Sequence, residues 1–424
     1  MTGPTRLALW LLLCAAARAA ESLPASETAG RADTVLSSMD TLALAWDQLA
    51  GLASTHPSLL AAEAAVREAR FARAEAAGLP DLSAEVRRFS ADPRDGGPER
   101  PETELGLALS LDWLWTHSAR RDQAEALHAR RQHEQAGLGR ELTFALGESY
   151  WSLVRDQEMS RTSSELAQHL EDLLQVARTR VRLGDARPVE ASQVEIEALK
   201  ARLEADGSAA QLELSRTRLA RWLTPASGLL WASSDPFRIE PADALQDSGD
   251  PLSDNPRLRS AQADVAEQEA TRKLEWLGIL PRLQLEGSLE RADDRLARGI
   301  GVGLEIPLFT LNRAGIARSK AGLQRARAEL QAERRRLDDE LDTARSNFHS
   351  SQAQAESWRK QILPRAEEAA LVMEHTWQLG ETGLLELIDA QRTLAETKRE
   401  AIRVFHQAHL DRLRLQLLLE KESH

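Results

Sequence analysis

Residues 182–204 read RLGDARPVEASQVEIEALKARLE, and residues 378–400 read QLGETGLLELIDAQRTLAETKRE. Each places a Leu-Gly-acid turn, at Leu183-Gly184 and at Leu379-Gly380, before an amphipathic run. Working outward, the same spacing keeps returning. His56-Pro57 is answered by Asn255-Pro256, and Leu79-Pro80 by Leu280-Pro281. The alternating run ELGLALSLDW (104–113) is answered by GIGVGLEIPLF (299–309). The chain reads as one architectural unit written twice, each copy holding two strand-like segments and several helices.

In the first copy, His56-Pro57 opens a helix that Gly78-Leu79-Pro80 stops near Ala77, and a short helix is expected before it, over 41–53. After Pro80 the period changes to two. Leu82, Ala84 and Val86 alternate with Ser83, Glu85 and Arg87. Beyond the loop ADPRDGGPERPE, Leu105, Leu107, Leu109 and Leu111 alternate with Gly106, Ala108, Ser110 and Asp112. The second copy does the same with Leu283, Leu285 and Leu289, then with Ile300, Val302, Leu304 and Ile306. These are hairpins with one apolar and one small or polar face. They fit ordinary hairpins packed on helices. They also fit membrane strands, which are ~9–11 residues long and alternate lipid-facing with lumen-facing positions. Trp113 and Trp115 follow one hairpin and Phe309 the other, where aromatic anchors would meet a membrane interface.

Each hairpin leads into an exceptionally long helical stretch. Ile316, Leu323, Leu330 and Leu337 recur every seven residues, as do Leu387, Leu394, Ala401, Ala408 and Leu415. Leu166, Leu170, Leu173 and Ala177 keep the three-four spacing in the first copy. Sevenfold repetition demands a coiled-coil partner surface. A helix over 312–378 would be on the order of 100 Å long, more than a compact core requires. The boundaries expected are 1–19 signal peptide, 20–40 flexible segment, 41–223 first repeat, 224–254 connector and 255–420 second repeat.

Composition narrows the function. The 424 residues carry a net charge of −12, which argues against nucleic acid as a partner, and aromatics are only 4%. Arg6, the apolar run LALWLLLCAAA and Ala17-Arg18-Ala19 form an export signal with an A-x-A cleavage site. Cys14, the one cysteine, lies inside that run. Cleavage after Ala19 leaves no disulfide or thiolate chemistry; the alternative is a lipidated Cys14. The sequence offers no catalytic motif and no cofactor site. His406 and His409 sit three apart and could share a metal, but no third ligand is spaced to join them, so they read as a solvated helix face.

This pattern resembles the TolC-type outer-membrane efflux channels, from Thr41 to about Leu419. The most specific matches are Leu379-Gly380, the run LLELIDA (384–390) with its acids Glu386 and Asp389, and Pro307-Leu308-Phe309 after the fourth strand. The segment IPLFTLNRAGIARSKA (306–321) is similar to the heavy-metal branch associated with cobalt, zinc and cadmium efflux. The resemblance implies a mainly α fold with a small β part, two tandem repeats, and a homotrimer forming a 12-strand barrel and an α-helical tunnel. Physics agrees, because four strands cannot close a barrel and an open edge in lipid leaves backbone groups unsatisfied.

The implied function is a passive export duct for metal cations or other toxic small molecules in the outer membrane of a Gram-negative cell. Its partners would be a periplasmic adaptor and an inner-membrane pump of the proton-driven type. The resemblance further implies that Glu386 and Asp389 line a periplasmic aperture. Glu190 holds the place of Glu386 in the first copy, with Gln193 at the place of Asp389. On spacing alone Glu386 and Asp389 read as two solvated acids on a coiled coil. Leu183-Gly184 and Leu379-Gly380 would be the periplasmic tips that dock the adaptor. The alternative function is a periplasmic coiled-coil adaptor or structural protein without a pore, which leaves the alternating strands unexplained.

Overall fold

A computed structural model describes residues 41–80, 82–91, 100–184, 186–222, 230–233, 252–291, 296–305 and 312–419. The expected signal peptide, the segment 20–40, Cys14 and Phe309 lie outside them. The described chain divides into two compact units, one built from 57–138 and 248–339, the other from 41–56, 139–247 and 340–419.

The first unit holds a four-stranded antiparallel sheet. Its strands are β2 (Leu82–Ala91), β3 (Arg100–Ser110), β5 (Arg282–Arg291) and β6 (Leu296–Glu305), in the spatial order β2-β3-β5-β6. Period-two alternation makes the rows across it uniform. Leu82, Leu109, Leu285 and Val302 stand side by side, as do Val86, Leu105 and Leu289. The adjacent rows hold Glu85, Gly106, Ser288 and Gly299, and Ser83, Ala108, Glu286 and Gly301. One face is therefore apolar and the other polar, and the apolar face is uncovered: Ile300 is 89% exposed and Val86 68%. Among the described residues, β2 and β6 have no outer neighbour.

Helices α2 (Pro57–Ala76) and α5 (Pro256–Leu277) precede the two hairpins, each starting on proline, whose missing N–H is no loss at a first turn. Asn255 caps α5, its side chain accepting from the Arg257 N–H at 3.0 Å. Two long helices follow the hairpins. α3 (Trp113–Leu183) runs 71 residues and α6 (Arg313–Ser357) runs 45. α5 is tied to α3 by Arg130 and Glu267 at 3.1 Å, and to α6 by Arg257 and Glu333 at 2.6 Å. Asn312, at φ 45°, turns the chain from β6 into α6 and donates to the Glu275 carbonyl at 2.8 Å.

The second unit is a helical bundle. α4 (Pro188–Ala220) returns from α3, and α8 (Leu384–Leu419) returns from α7 (Leu363–Gln378). Leu166, Leu170, Leu173 and Ala177 of α3 are buried against Val194, Ala198 and Ala201 of α4 and Leu387, Ile388 and Ala395 of α8. Burying each leucine contributes about 1.5–3 kcal/mol. Along α8 the sevenfold positions Leu387, Ala401, Ala408 and Leu415 are buried and Leu394 is half-buried. A second core joins Leu146, Tyr150 and Leu153 to Leu212 and Leu219, with Leu49 of α1 (Trp46–Leu49).

Three expectations are corrected. Residues 41–53 are not one helix. Thr41–Leu44 is a strand, β1, followed by α1 and a 3-10 turn, Ala50–Thr55. Its partner is β4 (Leu230–Ser233), in parallel register, inside the stretch expected to be only a connector. The stretch 312–378 is interrupted by a π turn at Trp358–Ile362. Pro364 has no N–H for the preceding turn, so the backbone widens there, and the Leu363 N–H reaches back to the Trp358 carbonyl. Lastly, His406 and His409 are not a solvated face. His409 is 8% exposed and stacks on Trp151 at 3.8 Å.

Candidate pore and docking elements

The tips carry the sharpest geometry. Gly184 and Gly380 have φ of 79° and 80°, and only one other described residue, Asn312, shares that left-handed sign. A helix that must reverse within a few residues ends in this conformation, and glycine alone adopts it without a steric cost. At Gly380 the motif is complete. The Glu381 N–H bonds to the Thr376 carbonyl at 3.0 Å and the Gly380 N–H to the Trp377 carbonyl at 2.9 Å. A Cβ at either glycine would meet nothing within 4 Å, so only the backbone demands glycine there. Leu183 and Leu379 next to them are 77% and 61% exposed. Two bare leucines at two tight helix reversals fit a docking surface.

Glu386 and Asp389 sit in the first turns of α8 on the side away from Leu387 and Ile388, which the core takes up. Both are exposed. Glu386 Oε2 accepts from the Gly383 N–H at 3.3 Å, half of a capping box. Asp389 pairs with Arg392 at 3.9 Å while its side chain stays 74% exposed. Arg182 instead donates to Thr179 at 3.1 Å on its own helix. Glu190 occupies the equivalent first turn of α4, and pairs with Arg187 at 3.5 Å. The two copies thus offer one acid in the first turn of α4 and two in the first turns of α8, all at the positive end of a helix dipole.

Trp113 and Trp115 lie in the first turn of α3, directly after β3. Trp113 Nε1 donates to the Gly78 carbonyl at 3.0 Å, and its ring lies 4.8 Å from His117. It fastens the start of α3 to the end of α2, with both indoles half-buried.

The polar face of the sheet is the feature that sequence reading passed over. Among the described side chains it presents six glutamates, Glu85, Glu102, Glu104, Glu286, Glu290 and Glu305, against two arginines, Arg87 and Arg282. Glu85 and Arg87 pair at 2.8 Å beside a hollow of about 230 Å³ that Ser83, Glu104, Glu286 and Ser288 also line. Glycines leave room over the rest. A Cβ at Gly303 would approach Glu286 Oε1 to 3.1 Å. The signal was in the sequence, as the polar half of each alternation.

In the helical bundle, Asp156 is 3% exposed. It accepts from Arg155 Nε at 2.7 Å, from Ser215 Oγ and from Gln211 at 3.5 Å. Burial, and then the Arg155 charge, lower the nearby His406 to about 4, against the pull of Asp156.

A sequence model of the family described as Outer membrane efflux protein matches residues 249–420, the whole second copy. Over that stretch the chain is similar to the members of this family. The cobalt-zinc-cadmium resistance protein CzcC of Cupriavidus metallidurans is 25% identical over 297 residues, 69% of this chain and 71% of CzcC. The pyoverdine export outer membrane protein OpmQ of Pseudomonas aeruginosa is 25% identical over 317 residues, 70% of this chain and 66% of OpmQ. The outer-membrane channel OprN shares the fold at a TM-score of 0.77 and 19% identity, with 88% of this chain and 89% of that one superposed. The chain thus has the fold of the outer-membrane channels.

Proposed function

We propose that this efflux protein is the outer-membrane duct of a tripartite export system, and that its cargo is metal cations. Three chains join edge to edge, β2 of one against β6 of the next, to close a barrel of ~12 strands. The observation that carries this reading is the four-stranded sheet itself. Its apolar face is uncovered, its polar face is acidic, and its two edges have no partner. In lipid those edges must be satisfied, and further copies of the chain satisfy them. Strands of 10 residues, tilted as barrel strands are, cross roughly 25 Å of hydrocarbon.

The lumen side then carries an excess of carboxylates, which concentrates cations. Likeness to a cobalt-zinc-cadmium resistance protein supports the same cargo. Glu386, Asp389 and Glu190 line the periplasmic aperture, and the leucine-glycine tips at 183–184 and 379–380 engage the adaptor, which links the duct to a proton-driven pump. Trp113 and Trp115 mark the periplasmic membrane interface. The repeats run over 41–223 and 255–420, the role is transport rather than catalysis, and no cofactor is required. Heat-modifiable migration of trimers from outer-membrane fractions tests the assembly. Loss of resistance to divalent metals, but not to siderophores or organic toxins, in a deletion strain tests the cargo. A deletion strain sensitised only to organic toxins would overturn it.

A further inference from the structure

The apolar face of the sheet holds no acid at all. Its charged residues are three arginines, Arg88 on β2, Arg291 on β5 and Arg298 on β6. All three lie in the two rows nearest the hairpin loops that run across all four strands on this face, away from the helices. Arg88, Thr103, Arg291 and Leu296 form one row, and Val86, Leu105, Leu289 and Arg298 the next. Arg291 and Arg298 are diagonal neighbours, about 7 Å apart at Cβ. Arg88 stands two strands from Arg291, about 10 Å away. All three are exposed. None has an ion pair or side-chain hydrogen bond among the described residues. The contrast with the other face is sharp, since Arg87 and Arg282 there are paired with Glu85 and Glu305.

Three guanidinium groups with no ion partner among the described residues, on a lipid-facing surface, are costly in hydrocarbon but not at its edge, where long side chains reach the headgroups. The hairpin-loop end is the outer leaflet, because the helices leave from the opposite end into the periplasm. We propose that Arg88, Arg291 and Arg298 form a docking site for the phosphate groups of a phosphorylated glycolipid of the lipid A type in the outer leaflet. This rests on the membrane reading above. Arginine suits the task because its planar fork gives paired hydrogen bonds to phosphate oxygens. The spacing, roughly 7 and 10 Å, matches a headgroup carrying more than one phosphate better than a single small anion. A phosphate rim on every chain would hold a ring of ordered lipid around the barrel.

The test uses the full chain, purified as the assembled channel and placed in nanodiscs of phosphatidylethanolamine. Three lipids are added in turn: bis-phosphorylated lipid A, dephosphorylated lipid A and phosphatidylglycerol. Native mass spectrometry then counts the molecules retained. The parent should hold bis-phosphorylated lipid A at least tenfold better than either other lipid, and R88Q/R291Q/R298Q should lose that preference while assembling normally. A second variant, R87Q/R282Q on the polar face, should keep it. Equal retention by parent and triple variant would overturn the proposal. So would equal retention of phosphatidylglycerol by the parent, which would show generic anion attraction. Failure of the parent to insert at all, read from proteolysis of the strands, would instead sink the membrane reading.

Discussion

The Glu386 carboxylate closes back on the start of its own helix, its Oε2 taking the Gly383 N–H at 3.3 Å, while Asp389 one turn on stays 74% exposed. The two acids therefore do different work. Asp389 is free to face a pore, whereas Glu386 also caps α8.

For that reason the two charges should be removed in two ways. Glu386→Gln with Asp389→Asn keeps the acceptor for Gly383 and should lower cation selectivity in planar-bilayer recordings, weakening divalent block, with little loss of stability. Glu386→Ala should add a thermal penalty of roughly 0.5–2 kcal/mol from the lost cap. Unchanged selectivity and block in the Gln/Asn variant would remove these acids from the constriction.

Gly184→Leu and Gly380→Leu force a side chain into the left-handed region at φ near 80°, which costs roughly 1–2 kcal/mol each. There is open space for the side chain, so folding and trimer yield should survive. Export should be lost, measured as metal sensitivity of a complemented deletion strain. Full resistance with both substitutions would take the docking role away from the tips.

Leu304 and Gly303 are neighbours on opposite faces. Leu304→Arg puts a charge into mid-membrane and should destabilise the barrel by roughly 2–4 kcal/mol, read as lost heat-resistant trimer on gels. Gly303→Arg points at Glu286 and should assemble. The opposite result would mean that the faces are inverted.

Asp156→Ala strips the half-buried Arg155 and the buried Ser215 of their acceptor. The expected loss is about 1–3 kcal/mol, the cost of leaving buried polar groups without a partner, and should show as a lower melting temperature by circular dichroism. Asp156→Asn should recover part of it.

His406 titrates at about 4, below its ordinary 6.5. Its contribution to stability is fully present above pH 6.5 and is lost as pH falls toward 4, because the unfolded chain takes up the proton first. The slope is at most about 1.4 kcal/mol per pH unit in each chain, reduced by partial solvation of the ring. His406→Gln should flatten the melting temperature across that window, and an unaltered acid profile would count against the assignment.

Much of this was legible in the sequence because the signals are local. Sevenfold leucines announced the buried stripe of α8, alternation announced four strands, and Gly184 and Gly380 announced the reversals. What escaped depends on distance. Thr41 pairs with Leu230, 189 positions further along the chain, and four residues have no periodicity to betray a strand. The widening at Trp358 is forced by Pro364, yet a proline alone does not say whether a helix will break or accommodate. The expected roles of Glu190, Glu386 and Asp389 depend on where neighbouring chains meet, which no single chain encodes locally.

The bare edges of β2 and β6 also have a genetic meaning. In the proposed trimer, a chain that borrows its neighbours to complete a wall cannot keep a defect to itself. When a cell makes both an intact and an edge-damaged version, mixed rings outnumber pure ones, and one faulty member suffices to leave a gap. Lesions in these two strands should therefore be dominant, whereas loss of the whole gene, which leaves nothing to poison, should be recessive.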